Sequence, residues 1–161
     1  MTATPAPAAR RIFIPLEQLA YHEAAHAVVA YVQRQRFSYV SIMNLDGSGE
    51  NVCMTTGTVD PLRDATGLIA GTISEIRYCA TDGGEPMPDG TVQTDWKHAV
   101  ALLMAAFGPG DFKARLQQCH AEADRIVKDN WVAVEALAAA LLSEGRIGYR
   151  RAREIIGQVE P

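Results

Sequence analysis

The sequence predicts a mainly helical α+β fold with a small β-hairpin or sheet directly after its first helix. No glycine or proline interrupts the apolar, helix-favouring run from Leu16 to Arg36. Two segments rich in aromatic or β-branched residues follow, 37–45 and 52–59, and the turn sequence Asp46-Gly47-Ser48-Gly49 lies between them. Beyond these segments, apolar residues recur at helical spacing, which predicts helices for most of the remaining chain.

The later helices are bounded by turn residues. Isoleucines at helical spacing within 69–76 predict a second helix, capped by Asp64 or Thr66 and ending near Ala80. Thr81 to Gly90 contains three glycines and two prolines and is predicted to be a loop. The remaining predicted helices are 91–107, ended by the pair Gly108-Pro109, then 111–145 with a bend or break near 129–130, and finally 149–156.

The chain of 161 residues fits one domain, which we place at 12–161. Residues 1–11 are rich in alanine and proline, lack the apolar core of a signal peptide, and are predicted to be a disordered tail. The longest uncharged apolar run, Ala99 to Phe107, is much shorter than the roughly 20 residues that cross a bilayer. We therefore expect no membrane segment.

Charge and cysteine content indicate the class of partner and the compartment. The net charge of −4 and the absence of a long basic run argue against a nucleic-acid surface, so a peptide or protein partner is expected. The three cysteines, Cys53, Cys79 and Cys119, are odd in number and too widely spaced for a Cys-x-x-Cys metal site. Reduced, mostly buried thiols in a cytoplasmic protein are the expectation that follows.

The run from Tyr21 to Val29 contains an H-E-x-x-H motif, formed by His22, Glu23 and His26. Positions four apart on a helix lie ~40° apart, so both imidazoles point the same way and can bind one metal ion. Glu23 lies ~100° round from His22, where its carboxylate can reach a water on the metal without being a ligand, as a general base must. The alternative is an ordinary core helix that carries two histidines.

A catalytic zinc site needs a further ligand, because such sites use three protein ligands and keep a fourth position for water. No His or Glu follows the motif in the compact spacing that some metallopeptidases use. The candidates farther along the chain are Glu75, Asp95, His98 and His120. Spacing alone does not choose among them.

The motif sequence Tyr21-His22-Glu23-Ala24-Ala25-His26-Ala27 resembles the H-E-A-G-H-A signature of the peptidase domain of FtsH-type ATP-dependent zinc metalloproteases. The segment 71–75 is similar to the family's G-R-A-A-E helix, and 94–99 is similar to its N-D-L-x-x-A segment. The segments 130–142 and 147–156 resemble the family's terminal helices. The resemblance spans most of residues 15–157, although Ala25 replaces the family's glycine and the hairpin matches poorly.

The resemblance implies a zincin-like helical domain that binds one zinc ion per chain through His22, His26 and Asp95, with Glu23 as the catalytic base. It implies a zinc metalloendopeptidase that hydrolyses flexible or unfolded polypeptides through a zinc-activated water. A strand of the predicted hairpin, next to the motif helix, could pair with an extended substrate through main-chain hydrogen bonds.

The sequence contains no G-x-x-x-x-G-K-[ST] loop, so we expect a peptidase-like domain that stands alone without the family's ATPase and membrane parts. Such a domain could serve a separate ATPase or unfoldase, and its apolar C-terminal helices could form the interface of a homo-oligomer. The alternative function is a metal-binding but non-proteolytic protein-interaction module derived from the peptidase fold.

Overall fold

The structure, a computed structural model, describes residues 16–43, 52–54, 60–82 and 91–160. Within these ranges the chain forms five helices and three short strands. In chain order they are α1 (Leu16–Val32), β1 (Phe37–Ser41), β2 (Val52–Met54), α2 (Pro61–Asp82), α3 (Thr91–Asp129), α4 (Trp131–Glu144), β3 (Arg146–Gly148) and α5 (Tyr149–Val159). The predicted mainly helical α+β fold is confirmed, including the antiparallel strand pair that follows the first helix.

Several predictions concern residues outside the described ranges, among them the turn predicted at 46–49 and residues 55–59 of the second predicted strand segment. The tail predicted at 1–11 lies outside them, as does most of the loop predicted at 81–90, whose first two residues belong to α2. The assignment of 12–161 to one domain stays a prediction. Among the described helices, none combines the length and the apolar character that a membrane crossing requires.

Helix α1 lies at the centre of the fold, because 11 of its 17 residues are buried. Five of the buried residues are alanines, whose small side chains let neighbouring helices approach closely. The helix contacts α2, α3, α4, α5 and β1. The H-E-x-x-H motif is therefore carried by the most enclosed helix of the described chain.

Helix α2 runs antiparallel to α1, and polar contacts hold the two helices in register. The side-chain amide of Gln18 donates to Sγ of the buried Cys79 at 2.7 Å, near the start of α1 and the end of α2. The hydroxyl of Ser74 donates to the backbone carbonyl of Tyr21 at 2.9 Å. Such side-chain bonds between two helices oppose sliding of one along the other, so α2 presents a defined face to the motif.

The start of α2 differs from the prediction, because Asp60 caps the helix. Its Oδ1 accepts hydrogen bonds from the backbone N–H groups of Leu62 at 3.1 Å and Arg63 at 3.3 Å. A carboxylate in this position satisfies amides that have no partner within the helix. The two predicted caps, Asp64 and Thr66, lie inside the helix, where the hydroxyl of Thr66 donates to the carbonyl of Leu62 at 2.7 Å.

The long helix α3 consists of two segments, 91–107 and 109–129, which meet at Gly108. The ring centroids of Trp96 and His120 are 6.4 Å apart, although 24 residues of a straight helix would separate them by about 36 Å. The chain therefore turns back at Gly108, whose φ of 79° lies in the left-handed region that favours glycine. Pro109 follows, at a helix start where no amide hydrogen is needed. The predicted stop at Gly108-Pro109 is thus a reversal between two helical segments.

The predicted bend or break near 129–130 is a break, since α3 ends at Asp129 and α4 begins at Trp131. The side-chain amide of Asn130 donates to the carbonyl of Ile126 at 2.8 Å and so satisfies a group at the end of α3. Gly145 ends α4 with a φ of 74°, and its N–H donates to the carbonyl of Leu141 at 2.8 Å.

The sheet has three strands in the order β2-β1-β3, and β1 is antiparallel to both neighbours. Strand β3 was not predicted, since three residues between two helices carry almost no periodic signal. Its buried Ile147 pairs with the buried Val40 of β1. Because β1 is paired on both sides, it cannot add an extended substrate strand, and the expected pairing of a hairpin strand with substrate stays a prediction. Among the described strands, such pairing would have to use an outer edge of β2 or β3.

The C-terminus of α1 forms a Schellman motif with arginine in the usual glycine position. The N–H of Gln35 donates to the carbonyl of Ala30 at 2.8 Å, and the N–H of Arg34 donates to the carbonyl of Tyr31 at 2.9 Å. Arg34 has a φ of 59° and is the one non-glycine residue with positive φ in the described chain. A side chain in this conformation is strained by contact of Cβ with the backbone.

We expect Arg34→Gly to raise the free energy of unfolding by about 0.5–1 kcal/mol, because glycine relieves the left-handed strain. Urea denaturation followed by circular dichroism measures the change. The matched control is Arg153→Gly, an exposed position inside the regular helix α5, where the same substitution should destabilise by about 1 kcal/mol. A loss of stability in Arg34→Gly would show that the arginine side chain stabilises the fold by more than the strain it causes.

Candidate metal centre

Three side-chain atoms from two helices converge on one point. Nε2 of His22 lies 3.0 Å from Oδ2 of Asp95, and Nε2 of His26 lies 3.3 Å from the same oxygen. One donor atom from each of the three residues lies within 4.8 Å of the other two, as metal ligands must. The structure thus places the two motif histidines and the predicted third ligand together, although their role as ligands stays a prediction.

The second nitrogen of each imidazole contacts helix α2. Nδ1 of His26 lies 2.7 Å from the carbonyl oxygen of Gly67, and because a carbonyl can only accept, Nδ1 carries the hydrogen. Nδ1 of His22 lies 3.5 Å from Oε2 of Glu75, a charge contact on the ring edge away from Asp95. Partners of this kind orient metal-binding histidines and leave Nε2 as the coordinating atom.

Gly71 leaves the space that the two imidazoles use. A Cβ atom at this position would lie 2.6 Å from Nε2 of His22 and 2.6 Å from Nε2 of His26. No real Cβ contact is that short, so any side chain here would displace both donor nitrogens. The backbone of α2 therefore forms one wall of the site.

The residues of α2 at the site follow a simple spacing. Gly67, Gly71 and Glu75 are four residues apart, and positions four apart share one face of a helix. Gly67 provides a carbonyl, Gly71 provides space, and Glu75 provides a carboxylate. The sequence analysis assigned no role to the two glycines. The G-x-x-x-G-x-x-x-E pattern could have indicated them, because glycines four residues apart let another helix approach closely.

The electrostatics of the site favour positive charge. Burial by itself would lower the pKa of His22, but its contacts with Asp95 and Glu75 and the charges of Glu23 and Asp95 raise that pKa to about 10. Burial would raise the pKa of Asp95, but its bonds to His22 and His26 outweigh burial and lower that pKa well below the ordinary value. The carboxylates that stabilise a proton on His22 would equally stabilise a divalent cation among the same donors.

The exposure of the donors differs. His22 and Glu23 are only 1% and 4% exposed, whereas the side chains of His26 and Asp95 are 13% and 21% exposed. The solvent-facing side of the group is therefore the side of His26 and Asp95. Glu23 is buried beside His22 and acts on it through its charge, and it is not one of the three converging residues.

The other candidates for the third ligand do not join the group. Glu75 contacts the Nδ1 edge of His22 rather than the Nε2 edge. His98 is exposed, and His120 is exposed with its ring edge-on to Trp96. Spacing along the chain could not separate these residues from Asp95, because their distances from the imidazoles depend on how α2 and both segments of α3 pack against α1.

The donors present fit a catalytic type of metal site. Two imidazole nitrogens and one carboxylate oxygen are a ligand set found in catalytic zinc sites, which leave a fourth position open. The space at Gly71 and the partners of both Nδ1 atoms agree with this use. Imidazole and carboxylate also suit other divalent first-row metals, so the donor set does not by itself select zinc.

No model of a known protein family matches the chain, and no curated protein matches it either. The motif and the geometry of the site are therefore the features from which a function can be inferred.

We expect Gly71→Ala to abolish metal binding, because the added methyl group would occupy the space of both Nε2 atoms. The matched control is Gly67→Ala, one turn earlier on the same helix, where an added Cβ meets nothing within 4 Å. Elemental analysis of both purified variants, with circular dichroism to verify folding, measures the difference. Equal metal content in the two alanine variants would contradict the geometry of the site.

We expect Glu75→Gln to weaken zinc binding by about 10–100-fold, because the carboxylate orients His22 and adds negative charge near the ion. Competition against a chromophoric zinc chelator measures the affinity. Glu135→Gln on the exposed face of α4 is the control for loss of one negative charge elsewhere. If the two variants bind zinc equally well, the contact between Glu75 and His22 does not support the site.

Proposed function

We propose that the protein is a zinc-dependent metallopeptidase that hydrolyses flexible or unfolded polypeptides. The observation that carries this proposal is the convergence of His22, His26 and Asp95 beside the buried carboxylate of Glu23. Metal binding alone would require only the three donors. The additional buried acid, next to His22 in the motif but outside the donor group, supports a hydrolytic role.

Each residue of the site would have a separate task in peptide hydrolysis. His22, His26 and Asp95 would hold the ion, which when bound would activate a water molecule and polarise the scissile carbonyl. The carboxylate of Glu23 would accept a proton from the attacking water and then donate it to the departing amine. Glu75 and the carbonyl of Gly67 would keep the two imidazole rings oriented throughout.

The burial of the site supports a flexible substrate. Glu23 is almost fully enclosed, and the exposed edge of the group is formed by His26 and Asp95. A peptide bond could approach this edge only if its chain were locally extended and free of its own fold. We therefore include in the proposal a separate ATPase or unfoldase that delivers such chains.

We expect Glu23→Gln to lower hydrolysis of fluorescently labelled casein at least about 100-fold while metal content stays unchanged, because glutamine cannot accept the proton. Asp95→Ala should lose both the metal and the activity, since it removes a ligand and leaves the buried histidines in place. Elemental analysis and a casein assay with added zinc, on the same preparations, measure the two properties. Incubation of the wild type with a chelator, followed by zinc, should remove and then restore the activity.

Two results would count against the peptidase. Full activity in Glu23→Gln would exclude its role as base, and activity that survives complete metal removal would exclude the metal centre as the catalytic site. About one zinc per chain without hydrolysis of any unfolded substrate would instead favour the non-proteolytic interaction module.

A further inference from the structure

A cavity lies away from the three metal-centre donors, where the end of α1, the start of α2 and the second segment of α3 meet. Its volume is about 490 Å³, which is within the range of small-molecule sites in proteins. Its walls carry three arginines, one from each helical element: Arg34, Arg63 and Arg125. Glu122 is the one carboxylate among the lining residues, and Asp60 and Asp129 pair with Arg63 and Arg125 beside the cavity. Arg34 is therefore the one arginine of the three that pairs with no carboxylate of the described residues.

Two of these guanidinium groups are held in place by neighbouring residues. Nε of Arg63 lies 3.3 Å from Oδ2 of Asp60, and its Nη1 donates to the carbonyl of Gln33 at 3.4 Å. Arg125 donates to both carboxylate oxygens of Glu122, at 3.0 Å and 2.8 Å, and to Oδ2 of Asp129 at 3.2 Å. Groups oriented in this way lose little conformational freedom when a ligand binds.

The third guanidinium group belongs to Arg34, which occupies the strained glycine position at the end of α1. Among the described residues, its side chain has no hydrogen bond, ion pair or ring contact. No polar or ring contact of this side chain with the described residues therefore offsets the backbone strain. Arg34 does line the cavity. Strained residues of this kind concentrate at binding sites.

From these observations we propose that the cavity binds a small anionic ligand, a phosphate ester or a dicarboxylate, through Arg34 together with Arg63 and Arg125. Guanidinium groups recognise both kinds of oxyanion by paired hydrogen bonds. The inference does not depend on peptidase activity, because the cavity and its arginines are separate from the three metal-centre donors.

Isothermal titration of the purified protein at constant ionic strength tests this proposal, with glycerol 2-phosphate in one series and glutarate in the other. We expect saturable binding of one molecule per chain with a dissociation constant below about 1 mM for at least one probe. Arg34→Gly should weaken that binding at least about tenfold while the protein remains folded, since the substitution removes the guanidinium and relieves the strain. Arg125→Gln, on a different helix, should weaken it similarly.

Arg153→Gln is the matched control, because it removes one exposed positive charge outside the cavity and should change the affinity less than about twofold. The proposal is overturned if neither probe saturates the wild type, or if Arg153→Gln weakens binding as much as Arg34→Gly. It is also overturned if both cavity variants bind as the wild type does. The probe that binds more tightly shows whether the cavity prefers a phosphate ester or a dicarboxylate.

Discussion

The close approach of α1 and α2 at Gly71 is the constraint on which the candidate metal centre depends. Both Nε2 atoms lie where any side chain at this position would be, against the backbone of α2. The same closeness lets the carbonyl of Gly67 reach Nδ1 of His26 and the carboxylate of Glu75 reach Nδ1 of His22. A larger residue at Gly71 would separate the helices and remove these contacts together.

Two buried acids and a buried histidine at this site carry a cost in folding free energy that apolar residues would not. His22, Glu23 and Glu75 are each 4% exposed or less, in a core that is mostly apolar. Burying ionisable groups costs several kcal/mol per ion, and apolar residues of similar size often stabilise such positions. For the charged forms of His22 and Asp95, contacts within the site outweigh the cost of burial, as the raised pKa of His22 and the lowered pKa of Asp95 indicate. This group of buried carboxylates around two imidazoles is the basis of the proposed metal centre.

Arg34 is a second place where the chain departs from its most stable choice. A glycine would relieve the left-handed backbone at the end of α1, yet an arginine is present and its side chain lines a cavity with two further arginines. Local rules of stability are usually broken where a residue has a ligand to bind. The metal centre and the arginine cavity both show this conflict, and both depend on where α1 and α2 meet.

The sequence by itself determined the helical character of the chain, the placement of the motif on a buried helix, and the interruption at Gly108-Pro109. These features are local, since helical periodicity and turn residues act over a few neighbouring positions. It also brought Asp95 forward through a family resemblance, but spacing could not distinguish Asp95 from Glu75, His98 or His120. Only the tertiary structure decided that Asp95 lies at the Nε2 atoms of His22 and His26. It also decided that β1 is the central strand and that Gly71 leaves space for the imidazoles. Each of these depends on the packing of segments that are distant in sequence, and periodicity carries no information about which distant faces will meet.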